Sequence, residues 1–104
     1  MQVAQIKNIG NLLVKNYLPD GWKFKIFDTI RVGVVAHCFY QEKIIGFNFI
    51  YCSAPSLTVE NLEKILLHEI AHCVHYNHGK QFMSLCVDMG GYAKRKLPLT
   101  FLYS

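Results

Sequence analysis

The stretch that decides the fold is His68-Glu69-Ile70-Ala71-His72, followed closely by His78-Gly79-Lys80-Gln81-Phe82. Residues four apart lie on one face of a helix, so the imidazoles of His68 and His72 can reach a single metal ion. Glu69 points about 100° further round the helix, where it can hold a water molecule beside the metal. The pattern predicts a catalytic zinc site, whose usual plan is three protein ligands and one open position. The alternative is a chance string on an ordinary amphipathic helix.

Two further histidines compete to be the third ligand. His75 lies on the same helical face, but it is seven residues beyond His68, about 10 Å along the helix axis. A zinc ion needs its ligands at about 2.0–2.1 Å in tetrahedral directions, and a third group from the same stripe fits that badly. His78 follows the expected end of the helix, where the chain can fold back over the metal. We therefore predict His68, His72 and His78 as metal ligands and Glu69 as the catalytic base. His75 is interpreted as a residue of the cleft wall or as one that supports a ligand without binding the metal.

The remaining sequence predicts one α+β domain over residues 1–104. The expected elements are a helix over 2–18, strands over 22–26, 31–40 and 44–51, the motif helix, and a short helix from Gly79 to Gly90-Gly91. Short connections such as Gln41-Glu42-Lys43 favour antiparallel pairing of neighbouring strands. Thr58 is a suitable N-cap for the motif helix, which we expect to end near Asn77. His37, alone on a predicted strand, is interpreted as structural.

The composition is typical of a compact globular domain. Apolar residues make up 52% of the chain and charged residues 17%, as in a compact globular domain. The sequence has no apolar run long enough to span a bilayer, and its first residues do not resemble a signal peptide, so we expect a cytoplasmic protein without membrane association. The four cysteines have no C-x-x-C spacing, which predicts reduced, mostly buried thiols rather than a zinc ribbon or a disulfide framework. They are Cys38, Cys52, Cys73 and Cys86.

The net charge of +4 is mild, and Lys94-Arg95-Lys96 is the basic cluster of the sequence. A solvated surface explains these charges at least as well as a nucleic-acid patch does. DNA is therefore only a candidate partner, beside a protein or peptide substrate.

The two histidine motifs resemble the signature of the SprT-like (Spartan-type) zinc metalloproteases. In that family the third ligand lies in a similar His-Gly-x-x-aromatic element, here His78-Gly79-Lys80-Gln81-Phe82. Trp22 and Arg31-Val32-Gly33 also match the general layout of the family. The resemblance implies a zincin-like minimal metalloprotease domain and a zinc-dependent endopeptidase, and the best-known members of the family degrade proteins crosslinked to DNA.

The chain departs from the family pattern at two points. The gap between His72 and His78 is shorter than in SprT and Spartan themselves and is similar to that of WLM-type and YgjP-like zincins. The cysteine-rich zinc ribbon that follows the catalytic domain in bacterial SprT proteins has no counterpart in this sequence. Two other functions stay open at this point: a non-catalytic zinc-containing module that binds DNA or protein, and a zinc hydrolase with a non-peptide substrate.

Overall fold

The computed structural model of the chain describes residues 1–29, 33–75 and 79–92. Its elements, in chain order, are helix α1 (Val3–Tyr17), strands β1 (Lys23–Phe27), β2 (Ala36–Phe39) and β3 (Ile44–Asn48), a 3-10 helix (Phe49–Tyr51), and helices α2 (Val59–Ala71) and α3 (Lys80–Met89). The predicted α+β class is confirmed. The predicted order of helix, three strands, motif helix and short helix is also confirmed for the described residues.

The predicted antiparallel sheet is wrong in one of its two pairings. The strand order is β1-β3-β2, so β1 and β2 are not neighbours. β2 pairs with β3 antiparallel, as the short connection predicted, whereas β1 pairs with β3 in parallel, with Phe24 opposite Ile45. The sheet is therefore mixed.

The distribution of apolar residues explains why β3 takes the centre. Four of its five residues are buried and the fifth is half-buried. β1 carries the exposed Lys23 and Lys25, and β2 carries the exposed His37. Charged and polar side chains are typical of edge strands, because they discourage pairing with a further chain. At the centre, Gly46 has no side chain, and the rings of Phe27 and Phe39 occupy that space, within 2.6 and 2.8 Å of where a Cβ would lie. The order of the strands along the chain does not by itself predict that β3 is central.

The helices place the motif over one face of the sheet. α1 packs against β1 and α2, while α2 also packs against β2, β3 and α3. The core between these layers is apolar, and its largest fully buried members are Phe47, Ile6, Ile45, Leu62, Ile65 and Leu66. Helix α2 is thus in contact with the sheet and with both other helices.

The third strand ends earlier than predicted. It stops at Asn48 rather than at Tyr51, and the chain continues as the 3-10 helix. The Asn48 side chain accepts a hydrogen bond from the backbone N–H of Ile50 at 3.3 Å, which turns the backbone out of the extended conformation. The second strand is also shorter than predicted, since its described part begins at Ala36.

Helix α2 begins as predicted and ends earlier. The Thr58 hydroxyl accepts a hydrogen bond from the N–H of Asn61 at 3.1 Å, the geometry of an N-cap. The helix ends at Ala71, with His72 as its C-cap, and not near Asn77. The N–H groups of His72, Cys73 and Val74 each donate to a carbonyl three residues back, so the chain tightens into a turn. The residues after Ala71 are poorer helix formers than the Leu, Glu and Lys that precede them.

In the part of the chain that the structure describes, no helix is long and apolar enough to cross a membrane. All four cysteines are free thiols, as predicted, although only Cys52 and Cys86 are fully buried, whereas Cys38 and Cys73 are partly buried. Several predicted features lie outside the described residues: the third ligand His78, the start of the second strand at Arg31, and the basic cluster Lys94-Arg95-Lys96.

Candidate metal centre

The motif residues form a tight polar group at the end of α2. The candidate ligand atoms of His68, Glu69 and His72 all lie within 4.8 Å of one another. The two imidazole rings are 5.1 Å apart, centroid to centroid, and nearly perpendicular. His68 and Glu69 are buried and His72 is half-buried. The helix spacing predicted from sequence therefore brings the three side chains together, even though His72 stands at the C-cap.

His68 is oriented by a backbone carbonyl. Its Nδ1 lies 2.6 Å from the carbonyl oxygen of Tyr92, and because a carbonyl only accepts, Nδ1 carries the proton. In that tautomer Nε2 bears the lone pair that a metal requires. A hydrogen bond from the second ring nitrogen to a carbonyl is the usual support for a metal-binding histidine.

The segment after α3 supplies this carbonyl by lying directly along α2. The Tyr92 N–H donates to the carbonyl of Lys64 at 3.3 Å, and the Tyr92 hydroxyl donates to Asn61 Oδ1 at 3.1 Å. Gly91 makes the approach possible, since a Cβ there would lie 2.9 Å from Leu67 Cβ and 3.2 Å from the backbone nitrogen of His68. The sequence predicts neither role, because Gly90-Gly91 indicates only the end of a helix.

Phe82 of α3 forms the apolar wall of the group. Its ring stacks on His72 at 4.4 Å and 30°, and it meets His68 edge-on at 4.9 Å. The Phe82 side chain is fully buried. One aromatic ring thus contacts both imidazoles and fixes their relative orientation, which gives the aromatic position of the second motif a physical role.

Glu69 is the most unusual side chain of the group. It is 6% exposed, and its Oε2 has no hydrogen-bond partner among residues 1–29, 33–75 and 79–92. Burial, and to a smaller extent the neighbouring Cys38, raises the pKa of this carboxyl to about 8. A buried carboxylate oxygen without a donor is costly, so it indicates a position where a cation or a protonated ligand completes the environment.

Three thiols surround this carboxyl. Cys38 of β2 and Cys73 of the turn after α2 lie with their sulfurs 3.4 Å apart. A hydrogen bond from Cys73 lowers the pKa of Cys38, while the same bond raises the pKa of Cys73. In α3, burial and then the charge of Glu69 raise the pKa of Cys86 to about 11.

Among the described residues, His75 and His37 do not belong to the group. His75 is half-buried and lies beyond the turn, where its N–H donates to the carbonyl of Ala71 at 2.9 Å. His37 is exposed on β2 and packs edge-on against Phe39 at 4.8 Å. The described group contains His68, Glu69 and His72, with neither His75 nor His37. The third predicted ligand, His78, lies outside the described residues.

Comparison of the chain with protein-family models, with curated proteins and with solved structures found no match. The chemistry of the site is therefore the basis on which function is inferred.

Proposed function

We propose that this protein is a zinc-dependent metallopeptidase of the SprT-like, zincin type, cleaving peptide bonds at the group formed by His68, Glu69 and His72. The observation that carries the proposal is the buried Glu69 carboxyl, whose Oε2 lacks a donor in the described residues and sits beside two imidazoles. A structural histidine pair has no need of a carboxyl buried at such cost.

The donor set fits a divalent transition metal. Two imidazoles, one of them held in the Nε2-basic tautomer by the Tyr92 carbonyl, are ligands typical of zinc. A dication beside Glu69 would favour its charged form and so offset the desolvation that raises its pKa. We assign His68 and His72 as two ligands and, from the sequence motif, His78 as the third. Zinc, when bound, makes a coordinated water acidic and polarises the scissile carbonyl.

Glu69 is proposed as the general base. As the carboxylate, it accepts the proton of the attacking water and returns it to the leaving amine. Its low exposure keeps competing solvent away from the carboxyl. Phe82 holds the two imidazoles in place during this exchange.

The fold also offers a place for an extended substrate. β2 is an edge strand, and it packs beside α2, which carries the site. An extended peptide can add to such an edge through backbone hydrogen bonds, with the carbonyl to be cleaved lying over the helix. We propose an unfolded or extended protein segment as the substrate, and proteins associated with DNA as one source of it.

The test is cleavage of an unfolded protein substrate by wild type and Glu69→Gln. The amide keeps the size of the side chain but cannot act as a base, so cleavage should fall by roughly 10²–10⁴-fold. Zinc content, measured by elemental analysis, should stay at the wild-type level because the histidines are untouched. Glu63→Gln is the matched control, since Glu63 lies on the same helix outside the group.

Three results would oppose the assignment in different ways. Equal cleavage by wild type and Glu69→Gln would remove Glu69 as the base. Zinc lost together with activity would make Glu69 a ligand. Zinc bound without cleavage of peptide or protein, alone or with single-stranded DNA, would favour a binding module or a hydrolase of another substrate class.

A further inference from the structure

Two cysteines meet across the interface between the sheet and the motif helix. The sulfurs of Cys38 and Cys73 lie 3.4 Å apart, although the residues are 35 positions apart in the chain. Cys38 stands opposite Ile45 in the sheet, on the face that α2 covers. Cys73 is the residue directly after His72. The contact therefore joins an edge strand to the turn that carries a candidate metal ligand.

The exposure of the four thiols separates this pair from the others. Cys38 and Cys73 are both only partly buried, whereas Cys52 is 3% exposed and Cys86 is 0% exposed. A small oxidant in solution can therefore reach the pair more readily than the two buried thiols. A disulfide needs a sulfur separation of about 2.05 Å, so the two sulfurs must approach by about 1.4 Å.

We propose that Cys38 and Cys73 are a redox modification site, converted by a peroxide into a disulfide that ties β2 to the turn behind His72. One thiolate attacks a peroxide oxygen: a sulfur–oxygen bond forms, the oxygen–oxygen bond breaks, and water leaves once the released hydroxide is protonated. The second thiol attacks the resulting sulfenic acid, so that the sulfur–sulfur bond forms and the sulfur–oxygen bond breaks. The hydroxyl leaves with the thiol proton as a second water. The pair loses two electrons, hydrogen peroxide gains them, and a dithiol reductant reverses the change.

The disulfide also acts on the metal site, a consequence that rests on the proposed function. Metal–ligand distances in zinc sites lie within about 0.2 Å of their usual values, which is much less than the approach that the sulfurs must make. Because Cys73 is bonded to His72 through the backbone, the closing movement shifts that ligand. Oxidation therefore weakens zinc binding, and reduction restores it.

The first experiment counts thiols and maps the link, and needs neither metal nor activity. Treatment of the wild-type protein with hydrogen peroxide should lower the number of free thiols from four to two. Peptide mapping under non-reducing conditions should show one intramolecular link, between the peptides that contain Cys38 and Cys73. Retention of all four thiols, or a link through Cys52 or Cys86, would overturn the proposal.

Variants provide the matched comparison. Cys38→Ser removes one partner without altering the residue next to His72, so the intramolecular link should disappear. Cys52→Ser changes a thiol outside the pair, so the link should still form. A Cys38→Ser protein that kept an intramolecular disulfide would contradict the assignment. The wild-type peptide map decides the matter even if a variant fails to fold.

The second experiment measures zinc affinity by competition with a chelating dye, before and after oxidation. Wild type should lose affinity by about tenfold or more on oxidation and regain it with dithiothreitol, whereas Cys38→Ser should show no loss. A disulfide that left zinc affinity unchanged would overturn the coupling to the metal site. Absence of zinc binding in both redox states would instead remove the proposed function, and the disulfide would stand on the peptide map alone.

Discussion

Two buried polar side chains, Asn48 and Glu69, differ in whether the surrounding protein satisfies their hydrogen bonds. Asn48, at the end of β3, is 0% exposed, and its amide donates to the Val34 carbonyl at 2.7 Å while its oxygen accepts from the Ile50 N–H. Glu69, near the end of α2, is 6% exposed, and its Oε2 has no partner in the described residues. The first polar group is satisfied by the backbone around it, and the second is not.

This difference in hydrogen bonding suggests a structural role for Asn48 and a ligand-binding role for Glu69. A buried amide with its hydrogen bonds made contributes to the fold, because it turns the chain at the end of a strand. A buried carboxyl that lacks a donor opposes folding, so its retention indicates a ligand that completes its surroundings. Stability should therefore depend on Asn48 and metal chemistry on Glu69, and each can be changed separately.

The largest expected effect on stability comes from Asn48→Ala. The change empties a fully buried position and leaves the Val34 carbonyl and the Ile50 N–H without their side-chain partner, at a cost of about 1–3 kcal/mol. Urea unfolding, with and without zinc, should show the same loss in both conditions. Asn16→Ala, at an exposed site of α1, should stay within about 0.5 kcal/mol of wild type. If Asn48→Ala lost stability only in the presence of zinc, Asn48 would not be a purely structural residue, and the contrast with Glu69 would be wrong.

The pH dependence of stability in the metal-free protein tests whether the Glu69 carboxyl is desolvated. Its folded-state pKa of about 8 exceeds the ordinary value of 4.5, so between these values the folded protein keeps a proton that the unfolded chain has released. Stability is therefore greatest below the ordinary pKa and falls as the pH rises toward the folded-state pKa.

Unfolding by urea in the presence of a chelator should show this fall. From roughly pH 6 to pH 8 the free energy of unfolding should decrease by on the order of 2 kcal/mol through this group. Glu69→Gln should remove most of the slope, whereas Glu63→Gln should keep it. An unchanged slope in Glu69→Gln would mean that the carboxyl is not desolvated as described.

The smallest expected effect is that of Gly91→Ala on metal affinity. A methyl group at this position would press on Leu67 and on the backbone of His68, and so would move the Tyr92 carbonyl away from the His68 ring. Loss of such a supporting hydrogen bond should weaken zinc by about tenfold, or ~1.4 kcal/mol. Gly33→Ala is the control, since nothing lies within 4 Å of a Cβ there. Equal affinities in both variants would leave the Tyr92 carbonyl without a role in the site.

Some features of this architecture can be predicted from the sequence because they depend only on neighbouring residues. The N-cap at Thr58 and the spacing of His68 and His72 each depend on a few neighbouring residues, and the structure bears out both predictions. The parallel pairing of β1 with β3 was not readable, because the choice of the central strand depends on how Phe27 and Phe39 share the space over Gly46.

In the candidate site, too, local spacing could be predicted from the sequence and tertiary contacts could not. The contact of His68 with Tyr92, 24 residues later, and the stacking of Phe82 on His72 are tertiary contacts, and the helix pattern contains no signal for them. The early end of α2 at Ala71 was also missed, since the apolar periodicity continues past it. A helix-based pattern thus locates the candidate ligands, whereas packing decides how their side chains are oriented.

The most direct measurement is the zinc content of the purified, dialysed protein by elemental analysis, compared across single histidine variants. Wild type should hold about one zinc per chain, His68→Ala and His72→Ala should hold almost none, and His75→Ala should match wild type. His78→Ala should weaken zinc far more than His75→Ala does. Wild-type zinc in the His68→Ala and His72→Ala proteins, or no metal in a folded wild type supplied with zinc, would contradict the account.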